Sequence, residues 1–238
     1  MKKTIILMIT ALMAMQIASA QNKNKKKDAQ QQVVAEQQVK QNNNTMILLE
    51  TTMGNIKMEL FDDTPVHTNN FKKLVEQGFY DGVLFHRVIE GFMIQTGDPE
   101  SKTAKPGDRL GAGGPGYTIP AEIIPAHYHR RGAVAAARTG DQGNPMRRSS
   151  GSQFYIVHGK TTSADQLKAY SRYGFEFSDE QLDVYATVGG APTLDAQYTV
   201  FGQVVDGMDV VDKIATAEKD AADRPKTDIK IIKASIIK

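Results

Sequence analysis

From Leu84 onward, short apolar pieces are cut apart by glycine and proline, and this rhythm restricts the fold more than any other feature of the chain. The pieces are Leu84 to Ile89, Phe92 to Thr96, Ala133 to Ala136, Phe154 to Val157, Val200 to Val204 and Ile229 to Ile236. Each has the length of a strand, and the 20 glycines and 9 prolines leave few uninterrupted stretches for helices. A hairpin precedes them: Met46 to Leu49 and Ile56 to Leu60 flank Thr52-Met53-Gly54-Asn55, which supplies the glycine of a tight turn. One helix fits early, at about 64 to 77, with Thr64 as cap, Pro65 at the first position, Phe71, Leu74 and Val75 at helical spacing, and Gly78 as the stop. Another fits late, Met208 to Ala217, where Met208, Val211 and Ile214 recur on one face after Asp206-Gly207. Regular short strands with one early and one late helix point to a mainly β protein, a barrel.

The segment Thr162 to Pro192 breaks the rhythm. Ser163-x-x-Gln166 and Ser178-x-x-Gln181 are capping boxes, and Gly189, Gly190 and Pro192 stop the second helix. It reads as a helical excursion between strands, a neutral surface insertion in preference to a lid or partner surface, because loops tolerate added length.

At the start of the chain, Lys2 and Lys3 precede an apolar run from Ile5 to Ile17 and then Ala18-Ser19-Ala20. Charged, apolar and small residues in that order mark a secretory signal peptide over residues 1–20, cleaved after Ala20. The run is shorter than the roughly 20 residues that span a bilayer, so no stable membrane insertion is expected after cleavage. Export to the periplasm is the expectation, with secretion as the alternative. Residues 21–45 are rich in Gln, Asn and Lys with few large apolar groups, which predicts a disordered linker ahead of one domain at 46–238. The formal charge of +2 falls to 0 on loss of Lys2 and Lys3, which argues against nucleic acid as a partner. With no cysteine, no disulfide can form, so stability outside the cytoplasm must come from the core.

The informative block is Phe85-His86-Arg87-Val88-Ile89-Glu90-Gly91-Phe92-Met93-Ile94-Gln95-Thr96-Gly97-Asp98. Its Phe-His-Arg, Gly-Phe-Met and Gln-x-Gly-Asp strings resemble those of the cyclophilin family, without a gap. Gly132 to Arg138, Gly151-Ser152-Gln153-Phe154-Tyr155-Ile156, Leu194-Asp195 and Val200-Phe201-Gly202 follow in family order. The resemblance covers Met46 to Lys238 apart from residues 162–192.

That resemblance implies a closed eight-stranded antiparallel barrel capped by two helices, and peptidyl-prolyl cis/trans isomerase activity on proline-containing polypeptides, with no cofactor and no metal. Residue by residue, it implies Arg87 as the catalytic arginine and Phe92, Met93, Tyr155 and Leu194 as the pocket wall. Gln95 and Gln153 would orient the substrate, Ala137 and Arg138 would offer backbone to an extended peptide, Tyr198 would stand where histidine is common, and His86 would shape the site without acting as acid or base. Thr193 replaces a tryptophan found in many members, so the indole N–H that would donate to cyclosporin is missing. A monomer is expected. The alternative function is a proline-segment binding module or holdase chaperone with little turnover.

Other candidates are weaker. Gly111 to Gly116 lacks the strand-to-helix context and the Gly-Lys-Ser/Thr of a phosphate loop. His127 and His129 have no nearby further ligands, Ser152 lacks the second glycine of a nucleophile elbow, and Arg147-Arg148 reads as a charged loop.

Overall fold

The computed structural model describes residues 45–237. The signal peptide and all of the linker except Thr45 therefore lie outside the described residues. Thr45 itself begins the first strand, one residue before the expected domain boundary.

Strands β1 (Thr45–Thr51) and β2 (Gly54–Leu60) form the expected hairpin, but only Thr52 and Met53 lie in its turn, with Thr51 opposite Gly54. The Thr51 hydroxyl donates to the Gly54 carbonyl at 2.6 Å and accepts from the Met53 N–H at 3.1 Å, closing the turn. A Cβ at Gly54, whose φ is 129°, would lie 2.8 Å from Val210, so the turn needs glycine both for its conformation and for contact with the late helix.

Helix α1 (Pro65–Glu76) starts with proline as expected, yet Thr64 does not cap it: the hydroxyl donates to the Phe61 carbonyl. The cap comes from Glu122, far along the chain, whose two carboxylate oxygens accept from the N–H groups of Val66 (3.0 Å) and His67 (2.9 Å). A carboxylate is favoured there because it meets both the unpaired amides and the positive end of the helix dipole.

The remaining strands are β3 (Arg87–Ile89), β4 (Met93–Thr96), β5 (Thr118–Ile119), β6 (Ala133–Ala136), β7 (Ser149–Ser150), β8 (Phe154–Val157), β9 (Val200–Asp206) and β10 (Ile231–Ile237). Eight of them form one antiparallel sheet in the order β10-β1-β2-β9-β6-β8-β4-β3, while β5 and β7 pair separately. The sheet curls into a half-barrel and does not close, which corrects the closed barrel expected from the resemblance. The reason lies at β3: the Val88 N–H donates to the Asp223 carbonyl and the Val88 carbonyl accepts from Lys219 Nζ, so its outer edge is taken by a loop. Only the residues before β3 reach the far end of the sheet, through the Leu84↔Lys230 bridge and backbone bonds such as Phe85 N–H to the Ile229 carbonyl.

Alternation along the strands separates two apolar clusters. Val88, Ile94, Val134 and Ile156 face the inner core with Phe71, Leu74 and Val75 of α1 and with Val210, Val211 and Ile214 of the late helix α4 (Met208–Ala215). Met93, Ala133, Ala135, Tyr155, Val157 and Val200 face the other side. Strands β6 and β8 are therefore buried on both faces.

Between β8 and β9, both expected capping boxes form, at the starts of α2 (Ala164–Ser171) and α3 (Asp179–Thr187). The segment is not a neutral surface addition. Leu167 and Tyr185 are fully buried and, with Tyr128, make a third apolar cluster.

Candidate active site

Strands β3, β4, β8 and β6 are neighbours, and their registers set Arg87 opposite Gln95, Gln95 opposite Tyr155 and Tyr155 opposite Ala135. Directly opposed residues share a sheet face. Since Val88, Ile94, Ile156 and Val134 face the inner core, this row must lie on the outer face. A depression of about 410 Å³ opens there, lined by Arg87, Phe92, Met93, Gln95, Ala137, Arg138, Tyr155, Leu194 and Tyr198. The expected site residues thus come together, except His86 and Gln153.

Arg87 brings a guanidinium to the β3 side of this cavity, and its side chain is 45% exposed. Its Nε lies 3.9 Å from Asp223, whose other oxygen pairs with Lys219 at 2.7 Å. The opposing charge therefore lies on the loop that covers β3, leaving the guanidinium among the cavity walls. Nothing in the sequence near Arg87 signals Asp223 or Lys219, because the loop is brought there only by the fold.

Gln153 stands behind the cavity and holds it. Its side-chain oxygen accepts from Gln95 Nε2 at 3.0 Å, and its amide nitrogen donates to the carbonyls of Gly111 (2.9 Å) and Gly113 (2.7 Å). The buried Asp98 carboxylate accepts from the N–H groups of Gly111 and Gly113. The glycine-rich loop is thereby fixed by Asp98 and Gln153, and a broader groove lined by it shares Gln95, Ala137 and Arg138 with the first depression. Ser152, dismissed as a nucleophile, donates to the Gly97 carbonyl at 2.7 Å.

His86 lies beneath the surface, 5% exposed, and neither ring nitrogen has a hydrogen-bond partner among the described residues. Burial lowers its pKa to about 4; the Asp98 charge and the Leu84 carbonyl oppose this, while Arg87 and Arg224 reinforce it. It packs beside the glycine loop, where a Cβ at Gly111 would lie 3.5 Å from its Nε2, and it does not line the cavity.

The backbone of Ala137 is already committed: its N–H donates to the Gln153 carbonyl and its carbonyl accepts from Ser150. Among the described residues, the backbone of Arg138 takes no such partner, which leaves it as the edge open to another chain. The Arg138 guanidinium lies 4.6 Å over the Tyr198 ring and donates to the Gln197 carbonyl and to Asp141. Tyr155 and Tyr198 meet edge to face, with ring centres 5.9 Å apart. Behind them, the Tyr155 hydroxyl reaches His129 at 2.9 Å. The two histidines weighed as metal ligands turn to different partners, His127 to Asp63 and His129 to Asp195.

The family described as cyclophilin type peptidyl-prolyl cis-trans isomerase/CLD matches residues 46–236. A Staphylococcus aureus (strain USA300) protein named as a candidate peptidyl-prolyl cis-trans isomerase is 33% identical over 186 residues, covering 78% of this chain and 88% of that one. A Streptococcus pyogenes protein named as a candidate bifunctional phosphatase/peptidyl-prolyl cis-trans isomerase is 36% identical over 189 residues, 77% of this chain. The match spans only 37% of that longer protein's length. Among solved structures, a cyclophilin type peptidyl-prolyl cis-trans isomerase of Cryptosporidium parvum superposes with a TM-score of 0.59 at 26% identity, covering 82% of this chain and 98% of that one. The same protein in the presence of the dipeptide Ala-Pro gives a TM-score of 0.58, covering 81% of this chain and 99% of that one at 26% identity.

Proposed function

Because this chain belongs to the cyclophilin-type peptidyl-prolyl cis-trans isomerase family, we propose that it accelerates rotation about Xaa-Pro bonds at the outer-face cavity, with Arg87 as the catalytic residue. The peptide C–N bond resists rotation by about 18–20 kcal/mol because resonance gives it partial double-bond character. Nothing covalent has to break. In the twisted form the prolyl nitrogen becomes pyramidal and regains a lone pair, so a donor that meets this lone pair favours the twisted form over the planar one. Arg87 projects such a donor from β3 into the cavity.

The donor alone is insufficient. One charge-assisted hydrogen bond is worth about 1.5–3 kcal/mol, or roughly 10- to 100-fold in rate at 1.36 kcal/mol per factor of ten. The rest of the acceleration comes from Phe92, Met93, Tyr155 and Leu194, which grip the proline ring and exclude water while the preceding carbonyl turns. Gln95, fixed by Gln153, and the Arg138 backbone hold the flanking peptide. The single observation that carries this reading is the convergence of Arg87 with these four walls in one cavity.

The substrates are proline-containing polypeptides, a reading supported by the relative solved in the presence of Ala-Pro. Residues 1–20 act as a cleaved signal peptide, so the isomerase works on exported chains in the periplasm, as a monomer; the order of Lys2-Lys3, the apolar run and Ala18-Ser19-Ala20 supports the export. Helices α1 and α4 serve as the two caps of the half-barrel, supported by the apolar side chains each adds to the inner core.

The test is NMR exchange on a short Xaa-Pro peptide between pH 6 and 8. Turnover should exceed that of buffer and stay nearly constant, because a guanidinium does not titrate in this range. A steep pH dependence would indicate a histidine acid or base instead. No acceleration by the folded protein would reject the function.

A further inference from the structure

Among the pocket walls, Tyr155 alone is tied from behind by a chain of buried polar groups. Asp195 is the hub: one oxygen accepts from the His129 backbone N–H and from His129 Nδ1, both at 2.8 Å, and the other accepts from the Tyr185 hydroxyl at 2.5 Å. A carboxylate can only accept, so Nδ1 of His129 carries a proton, and in the neutral ring Nε2 accepts from the Tyr155 hydroxyl at 2.9 Å. The side chains of His129, Tyr185 and Tyr155 are all buried, which makes each link costly to leave unmade. Tyr155 thereby spends its donor behind the wall and presents its ring to the cavity.

The same carboxylate fixes a second wall. Asp195 directly follows Leu194 in a 3₁₀ turn, Pro192–Leu194, and Tyr198 packs edge-on against both Tyr155 and His129. Tyr185 belongs to α3, inside the helical segment that the isomerase chemistry leaves unexplained. A backbone bond from Ala191 N–H to the His129 carbonyl ties that segment to the same place, and one from Thr162 N–H to the Tyr185 carbonyl holds α3 to the segment's start.

We propose that His129 and Asp195 are positioning residues through which the helical segment 162–192 sets the spacing of Tyr155 and Leu194 around the proline ring. This rests on the cavity being the proline site. The segment is then part of the substrate pocket's support, and anything that moves α3 changes how tightly the ring is gripped.

The test is a double-mutant cycle on the full chain with Tyr185→Phe, Tyr155→Phe and the pair, reading KM, kcat and peptide affinity by NMR. Tyr185→Phe should weaken peptide affinity and raise KM about 3- to 10-fold with little change in kcat, below the ~100-fold that a 1 Å misplacement can cost. In the Tyr155→Phe background the same change should have less effect, because the link to Tyr155 is already cut and only the route through Leu194 remains. Equal effects in both backgrounds, or no effect of Tyr185→Phe, would overturn the proposal. Should Tyr185→Phe lower thermal stability enough to obscure binding, His129→Phe, which keeps a ring in place but breaks its side-chain bonds to Asp195 and Tyr155, must give the same rise in KM; unchanged KM would count against the proposal equally. Failure of the proline-site reading is distinguishable, since Arg87→Ala would then leave turnover intact whatever the cycle shows.

Discussion

Burial of His86 makes a quantitative claim about acid stability. Its pKa falls from an ordinary value of 6.5 to about 4, so between these values the unfolded chain binds a proton that the folded one does not, and folding weakens as the pH falls. At 1.36 kcal/mol per unit, the full contribution is about 3 kcal/mol, of which about 2.5 kcal/mol should be lost between pH 7.5 and 4.5. His67 and His158 shift in the same direction, also by burial, so wild-type acid sensitivity has several sources. The variant His86→Leu isolates one of them. At pH 7.5 it should lie within about 1.5 kcal/mol of wild type, because an apolar group replaces a buried ring with two unpaired nitrogens. Urea unfolding of both proteins at pH 7.5 and 4.5 reads the difference: wild type should lose about 2.5 kcal/mol more than the variant on acidification. Parallel losses, within about 1 kcal/mol of each other, would refute the burial argument.

Further changes probe the cap, the sheet and the cavity rim. Glu122→Ala removes two hydrogen bonds to backbone N–H groups at the start of α1, together with the 2.6 Å contact to His67 Nδ1, and should cost about 2–3 kcal/mol, seen in calorimetry as a Tm drop of about 4–12 °C; a drop below about 2 °C would mean that water replaces the carboxylate fully. Gly97→Ala should unfold or severely destabilise the domain, since its Cβ would lie 2.3 Å from the Ser152 carbonyl oxygen at a φ of 95°; a wild-type melting curve would contradict that packing. Arg138→Ala frees the turn bearing Tyr198 and should raise KM about fivefold with a smaller change in kcat, given roughly 1 kcal/mol from a partly desolvated cation over a ring. Saturation kinetics would show it, and an unchanged KM would remove the Arg138 side chain from the support of the binding surface.

Local chemistry was legible before the structure. The hairpin, α1, α4 and both capping boxes each depend on residues within a few positions of one another, so spacing alone locates them. The row from Arg87 through Gln95 to Tyr155 came from matched motifs, because no periodicity reveals which face of a barrel strand meets a substrate. What the sequence hid is contact at long range. Glu122 caps a helix more than fifty residues away, and a loop around Asp223 takes the edge of β3 that a closed barrel would need. His129 was visible only as half of an unconvincing metal pair; its partners Asp195, Tyr155 and Tyr185 become neighbours only after β8 and the helical segment have folded against each other. His86 sat in the strongest motif of the chain, yet its place behind the cavity follows from burial, which a motif does not encode.

The central claim is that Arg87 stabilises the twisted Xaa-Pro bond while its neighbours hold the ring. The most direct measurement compares wild type, Arg87→Lys and Arg87→Ala on one Xaa-Pro peptide, separating kcat from peptide affinity by NMR exchange. Arg87→Ala should lower kcat about 10- to 100-fold with affinity nearly kept, the range one charge-assisted hydrogen bond supplies. Arg87→Lys should recover only part of it, because an ammonium lacks the planar fork of donors. Equal kcat in all three folded proteins would contradict the account.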